Sequence, residues 1–323
     1  MLPTVVPGVD ESAGLNRIGG YAPHTPWMFI RSSVYLMQLT SRDRFLLDRF
    51  TRYHLTARLV QHLSYAHDQP FTSLRGAQRR LKELVDNGYL KRQRLVTSGG
   101  EHCYFLTRKA ARLVFTPDEL DQVKSSRVLF SGFPPSQEQH NLAISRFMVK
   151  LERDVADAGI EFPLFVRDGH FTYSMMLDGK PSMLRPDGTM VLVQGGTPAL
   201  FFLEVDLSTE KLETIRPNAR NTRSFAEKIQ KYTMFRREYP TITLGPHVCP
   251  GFRVLTVCKT QKRLENLVAL AGRMGKQGMF QFLTMAQYLN QDEEVAQSFQ
   301  GASLLYETGF TTPSGPTTLY SPI

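Results

Sequence analysis

Two apolar runs, Thr189 to Val193 and Leu200 to Val205, flank Gln194-Gly195-Gly196-Thr197-Pro198. Short runs of this kind, broken by paired glycines, read as the two strands of one hairpin. Acids mark its ends. Asp187 stands at the entry in Arg185-Pro186-Asp187-Gly188, and Glu204 and Asp206 close the second strand. Strand side chains alternate, so Glu204 and Asp206 share a face while Val205 points to the other. A register that sets Asp187 beside Glu204 makes two or three carboxylates converge. Mg²⁺ or Mn²⁺ takes such oxygen ligands and leaves positions for water and a substrate phosphate. Asp187, Glu204 and Asp206 are therefore the candidate metal ligands, although a turn aspartate or a strand-end glutamate also serves simple structural bonds.

The flanking chain predicts an α/β arrangement. Gln137 to Ala158 reads as one long helix with Leu142, Ile144, Phe147, Met148, Leu151 and Val155 on its apolar side. Glu161 to Arg167 and His170 to Met176 are strand-like, and a helix over Ser224 to Glu238 buries Phe225, Ile229 and Tyr232. Lys228 lies at the margin of that buried stripe and Lys231 much further round, so Lys228 is the lysine able to reach the sheet. There a cation orients the attacking water and offsets charge developing on a phosphate. Arg253 to Cys258 and a helix over Gln261 to Ala271 complete the sheet and its cover. His140 and Glu138, at the start of the long helix, are weaker accessory candidates, as is Lys231.

Upstream, Thr40 caps a predicted helix through Tyr53, and Leu55-Thr56 opens a second. A third helix starts at Thr72-Ser73 and stops at Asn87-Gly88, with Leu74, Ala77, Leu81, Leu84 and Val85 at helical spacing. Its outer face carries Arg75, Gln78, Arg79 and Lys82. Tyr89 to Val96, Gly99-Gly100 and Cys103 to Leu106 then form a hairpin whose first strand bears Lys91, Arg92 and Arg94. Helix, helix, basic helix, hairpin is the winged helix-turn-helix order. Such a helix fits the major groove of double-stranded DNA, with Arg and Gln reading base edges and the wing cations meeting phosphates. The same architecture also serves protein docking, and basic helix faces are often merely solvated.

Charge supports an anionic partner: 39 Lys and Arg outnumber 30 Asp and Glu, for a net charge of +9. With 41% hydrophobic residues, the 323-residue chain is not disordered throughout. No apolar run approaches the roughly 20 residues of a membrane span, and no secretory leader is visible. A soluble, cytoplasmic protein without membrane contact is expected. Three scattered cysteines and unpaired histidines indicate neither disulfides nor structural zinc. The expected organisation is an extended arm (1–38), a winged helix (39–115), a linker (116–136), an α/β domain (137–302) and a loose tail (303–323).

The run R-P-D-G, then seventeen residues from Asp187 to Glu204, then F-F-L-E-V-D and a helix containing K-I-Q-K-Y, resembles the core of the PD-(D/E)XK nuclease superfamily. The whole order resembles the replication-relaxation family of plasmid and mobile-element proteins. That likeness rests on Leu39-Thr40-Ser41-Arg42-Asp43-Arg44, Leu55-Thr56, Arg79-Arg80-Leu81 before Gly88-Tyr89-Leu90, Tyr104-Phe105-Leu106-Thr107, His140 and E-V-D-L-S-T-E. It implies a restriction-endonuclease-like mixed sheet after the winged helix, and a metal-dependent endonuclease acting in replication, transfer or transposition. Asp187, Glu204, Asp206 and Lys228 would be catalytic. Asp206 stands where the superfamily usually has lysine, so the basic role passes to Lys228. The insertion Lys211 to Thr222, with Arg216, Arg220 and nearby Arg223, is a candidate phosphate-contacting loop. The alternative is a non-catalytic DNA-binding regulator whose second domain forms a homodimer or docks other mobile-element proteins.

Overall fold

The computed structural model describes residues 37–97, 99–123, 127–167, 171–177, 179–208, 210–213, 224–276, 278–289 and 310–317. Its N-terminal part begins with α1 (Ser41–Arg49), held by a capping box in which Thr40 and Asp43 bond each other's backbone amides. The helix ends four residues before the expected Tyr53. Tightened i to i−3 bonds at Thr51 and Arg52 turn the chain, and the Tyr53 hydroxyl is drawn to Glu152. Leu55 and Thr56, expected to open a helix, form a two-residue strand β1 (Leu55–Thr56), and Thr56 then caps α2 (Ala57–Ser64). Ser73 caps α3 (Leu74–Asp86), which Asn87 and a left-handed Gly88 (φ 73°) terminate. Strands β2 (Leu90–Arg94) and β3 (His102–Leu106) pair antiparallel, and β1 adds to β3, giving the element order expected of a winged helix. Helices α4 (Arg108–Val114), α5 (Pro117–Val123) and α6 (Arg127–Phe130) follow, the last two within the stretch read from sequence as a linker.

The long helix α7 (Pro135–Asp157) leads into β4 (Glu161–Arg167), the hairpin β5 (Tyr173–Leu177) and β6 (Lys180–Leu184), and the central hairpin β7 (Gly188–Gln194) and β8 (Thr197–Asp206). Next come α8 (Phe225–Glu238), the small hairpin β9 (Ile242–Leu244) and β10 (His247–Cys249), β11 (Arg253–Cys258), α9 (Gln261–Arg273), β12 (Phe280–Thr284) and α10 (Met285–Leu289). Strands β13 (Phe310–Thr312) and β14 (Gly315–Thr317) close the described chain. The main sheet has seven strands in the order β14-β13-β12-β11-β8-β7-β4. It is mixed: β8, β11 and β12 run parallel, while the pairs at both ends are antiparallel.

Alternation along β8 sorts its side chains between two cores. Phe201, Leu203 and Val205 join the core that contains α7, whereas Leu200 and Phe202 pack under α8 and α9. Glu204 and Asp206 therefore emerge toward α8 and α9. The first of these cores runs without a break from Leu46 and Leu81 of the N-terminal part to Phe147 and Met190. The two blocks distinguished in the sequence thus share buried apolar packing, reinforced by a His54 amide bond to the Ser145 hydroxyl at 3.1 Å. One expectation is corrected: part of the stretch read as a loose tail extends the sheet. Phe310 is buried, and Thr312 and Gly315 close a tight turn between two strands, so threonines that suggested looseness act through their β preference.

Candidate active site and nucleic-acid surface

Asp187 precedes β7 and is tied across the hairpin. Its amide donates to the Leu203 carbonyl at 3.0 Å, and its Oδ2 accepts from the Val205 amide at 2.7 Å. Gly188, which follows it, leaves room for the Phe165 ring of β4, from which a Cβ there would lie 2.7 Å. His140 Nε2 lies 3.1 Å from Asp187 Oδ1. On β8, Glu204 accepts from the Tyr232 hydroxyl through Oε1 at 2.6 Å and from Lys228 Nζ through Oε2 at 2.8 Å. Lys228 and Tyr232 are one helical turn apart on α8, which presents both to the same strand. Lys228 also reaches Glu210 Oε1 at 3.0 Å.

Glu204 is buried, and Asp187, Lys228 and His140 are partly buried around it, so their charges act on one another. Burial drives Glu204 up, the Lys228 ammonium offsets part of that, and the Asp187 charge adds to it, leaving Glu204 pushed up to about 7. Its partial burial raises Asp187 as well, but the His140 hydrogen bond and charge, Lys228 and the Val205 amide together hold it below its ordinary range. Burial disfavours the Lys228 cation, yet Glu204, Asp187 and Glu210 raise it overall. His140 is likewise raised, its burial outweighed by Asp187. Two neighbouring carboxylates with pKa values driven apart are the usual arrangement of an acid–base site.

The structure therefore brings together Asp187, Glu204, Lys228 and His140. Asp206 is a correction: it faces the same side of β8 as Glu204 but is held elsewhere. Arg263 of α9 donates to Asp206 Oδ2 from Nε at 3.1 Å and Nη2 at 2.8 Å, and the Ser208 amide takes Oδ1 at 2.6 Å. Lys231 pairs with Glu227 at 2.7 Å instead of joining the cluster. Glu138 is also redirected, as it accepts from the Val96 and Thr97 amides. Tyr232 and Glu210, which bond Glu204 and Lys228, and Arg263, which bonds Asp206, are neighbours that sequence reasoning missed. Tyr232 was legible only as a core residue, whereas its spacing of four from Lys228 carried the signal.

Among the described residues no group of three or more His, Cys, Asp and Glu side chains is arranged to hold a metal ion. Asp187 and Glu204 offer two carboxylates, a number that Mg²⁺ or Mn²⁺ commonly takes with water and phosphate, and each of their oxygens accepts a bond within the protein. Burial and, to a smaller extent, the Asp187 charge raise Glu204, and a divalent charge would offset both.

On α3 the apolar residues Ala77, Leu81 and Leu84 face inward, while Arg75, Gln78, Arg79 and Lys82 are exposed. Lys82 forms a surface pair with Asp86. Arg80, between them, is turned inward to Asp43 and Glu83. Lys91, Arg92 and Arg94 on β2 are exposed as well. Arg216, Arg220 and Arg223 lie outside the described residues.

Fold and cluster together define a mixed-sheet α/β protein with a winged-helix-ordered N-terminal part and a partly buried carboxylate–lysine–histidine cluster. Within that class, the chain belongs to the replication-relaxation family, which it matches over residues 51–242. No curated protein matches its sequence significantly. Similar solved structures include protein VC1899 from Vibrio cholerae, with 10% identity over 78% of this chain and 55% of that one, TM-score 0.27. Another is the restriction endonuclease FokI bound to DNA, with 13% identity over 78% and 44%, TM-score 0.24. The chain thus spans about half the length of each. Among the described residues no helix is long and apolar enough to cross a membrane.

Proposed function

We propose that this chain binds double-stranded DNA through α3 and β2 and hydrolyses a phosphodiester at the Asp187–Glu204–Lys228 cluster, in the replication, transfer or transposition of a plasmid or other mobile element. The observation that carries the proposal is the return of a helix lysine to the strand acid, Lys228 Nζ to Glu204 Oε2 at 2.8 Å, beside a second, partly buried carboxylate. Asp187 and Glu204 would hold Mg²⁺ or Mn²⁺, which when bound supplies charge neutralisation at the phosphate and a more acidic water. Glu204, pushed up to about 7 by burial, would be drawn back to its ionised form by the ion and serve as its ligand. The Tyr232 hydroxyl fixes its orientation, and the Lys228 ammonium stands ready to offset charge on the phosphoryl oxygens. His140 and the Val205 amide keep Asp187 ionised and immobile. Asp206 is held by Arg263 and the Ser208 amide and is not assigned a ligand role. The chain is taken to be cytoplasmic, acting alone, as a homodimer or with other mobile-element proteins.

A second reading, a non-catalytic DNA-binding regulator, draws on the same Asp206–Arg263 pair, which leaves two acids where three were expected. One comparison separates the two. Wild type and an Asp187→Ala, Glu204→Ala double variant are incubated with supercoiled, linear, branched and single-stranded DNA in Mg²⁺, Mn²⁺ or EDTA. Cutting by wild type alone, abolished by EDTA, is the expected result. Equal binding without cutting by either protein on every substrate would sink the nuclease reading in favour of the regulator. In a parallel salt titration, Arg75→Ala with Arg79→Ala should weaken binding and lower the salt slope by about 1 per lost phosphate contact.

A further inference from the structure

The first turns of α7 carry two side chains that leave the helix in opposite directions. Glu138 is fully buried and accepts hydrogen bonds from the Val96 amide at 2.8 Å, the Thr97 amide at 2.7 Å and the Thr97 hydroxyl. Val96 and Thr97 begin the turn that joins β2 to β3, the wing. His140, two residues further along, contacts Asp187. Two helical steps rotate a side chain by roughly 200° and advance it only about 3 Å, so one short piece of helix touches the wing on one side and the carboxylate cluster on the other. The Glu138 carboxyl is raised by burial, but the Thr97 hydroxyl and the two amides outweigh that and hold it below its ordinary range, as an ionised clamp requires.

The base of the wing is fixed by a second, separate set of contacts. The Gln93 side chain donates to the Phe133 carbonyl at 2.9 Å and accepts from the Phe133 amide at 3.2 Å. A Cβ on Gly132 would fall 1.7 Å from Gln93 Oε1, so only glycine leaves room for this double bond. Leu95, Cys103 and Phe105 of the hairpin pack with Phe133 and Leu142 in a small core of their own. Polar bonds at the turn, polar bonds at the strand and apolar packing between them leave the wing no hinge against α7.

We propose that Glu138 is a positioning residue that sets the register between the wing and the carboxylate cluster, so that a duplex gripped by α3 and β2 presents one defined phosphate to Asp187, Glu204 and Lys228. Glu138 touches no substrate atom and acts through Val96 and Thr97. The inference rests on the DNA-cleaving reading for its purpose but not for its test. Cutting then occurs at a fixed offset from the bound sequence, where a tethered pair of domains would give a range of offsets.

The test uses a cysteine-reactive iron–EDTA chelate on Lys211→Cys, an exposed position next to Glu210, in the full chain, since Cys103, Cys249 and Cys258 are buried. The DNA is a duplex enriched from a random-sequence pool for binding to the otherwise unaltered chain. Ascorbate and peroxide then cut it wherever the chelate lies. The expected pattern is one narrow cluster of breaks, which in Glu138→Ala spreads over roughly one duplex turn, about 10 base pairs. Glu138→Gln, which keeps one acceptor oxygen, should restore part of the focus. Should Glu138→Ala fail to fold, Thr97→Ala and Gln93→Ala remove single parts of the clamp and are read in the same way. A residue that is merely structural would lower the thermal midpoint without moving the pattern. An unchanged cluster in folded Glu138→Ala, or a diffuse pattern already present with Glu138 intact, overturns the proposal. Because the breaks come from the chelate, a focused pattern in a protein that never cuts with Mg²⁺ or Mn²⁺ would refute the nuclease reading and leave the register standing.

Discussion

Two buried glutamates sit in matching cradles. Glu152 on α7 accepts from the Tyr53 hydroxyl and from Arg49 Nε, each at 2.7 Å. Glu204 on β8 accepts from the Tyr232 hydroxyl at 2.6 Å and from Lys228 Nζ at 2.8 Å. Each carboxylate has one phenol and one cation, and almost no water. The difference lies in the second acid. Beside Arg49 it is Asp48, 35% exposed and bonded to the outer side of the guanidinium at 2.8 Å, where water screens its charge. Beside Glu204 it is Asp187, only 14% exposed and bonded to His140 and the Val205 amide, where water screens its charge less. A guanidinium fork also divides itself between two acids more readily than a point-like ammonium does. The same residue types therefore build a clip between two halves of the fold in one place and a strained, chemically responsive centre in the other.

The largest expected effect comes from breaking the clip. Arg49→Ala leaves Glu152 buried beside a phenol alone, and stranding one partner of a buried pair costs about 3 kcal/mol or more. Urea denaturation should show that loss at pH 7, and near-wild-type stability would mean that Glu152 reaches water without Arg49. The strained centre should respond in the opposite sense. Glu204 titrates near 7 in the folded protein against an ordinary value of 4.5, so between those pH values the native state holds a proton that the unfolded chain has released. Stability contributed by this group is thus complete below pH 4.5 and declines as pH rises towards 7. Glu204→Gln should flatten that decline and gain about 1–3 kcal/mol at pH 8, while abolishing metal-dependent cutting. Lys228 keeps Glu210 as its partner in this variant. A Glu204→Gln protein that is less stable at pH 8 and keeps the wild-type slope would place both glutamates in the same structural class.

Much of this contrast was legible in the sequence on one side only. The central hairpin, Asp187 at its entry and the outward pair Glu204 and Asp206 follow from strand alternation and a glycine turn, both local properties. Lys228 followed from helical spacing. The Glu152 cradle did not, because its members are 99 and 103 residues from their partners and nothing local distinguishes Tyr53 from any other apolar-face residue. The same limit explains Asp206, whose partner Arg263 lies on a helix that looked like plain cover, and Glu138, which looked like a possible ligand. Local turns also outweighed pattern at Phe50 to Tyr53, where tightened bonds end a helix that periodicity would have continued. At Phe310 to Thr317 strand pairing overrode a composition that suggested looseness.

Asp206 supplies the finest test of the comparison, since it could belong to either class. Its geometry is that of the clip: a fork from Arg263 on one oxygen, a backbone amide on the other, and a further bond from the same guanidinium to the Glu210 carbonyl at 2.7 Å. An asparagine keeps the shape and one acceptor oxygen but sets its NH2 against either the Ser208 amide or Arg263, so Asp206→Asn should cost about 1–2 kcal/mol, less than truncating Arg49 because Arg263 still donates to the Glu210 carbonyl. Any cutting activity should survive, because the Asp187–Glu204–Lys228 contacts do not pass through Asp206. The opposite result, unchanged stability with cutting lost as completely as in Glu204→Gln, would move Asp206 back among the acids that meet the phosphate. It would also mean that Arg263 releases Asp206 when DNA binds, so that the number of carboxylates at the site is set by the substrate and not by the fold alone.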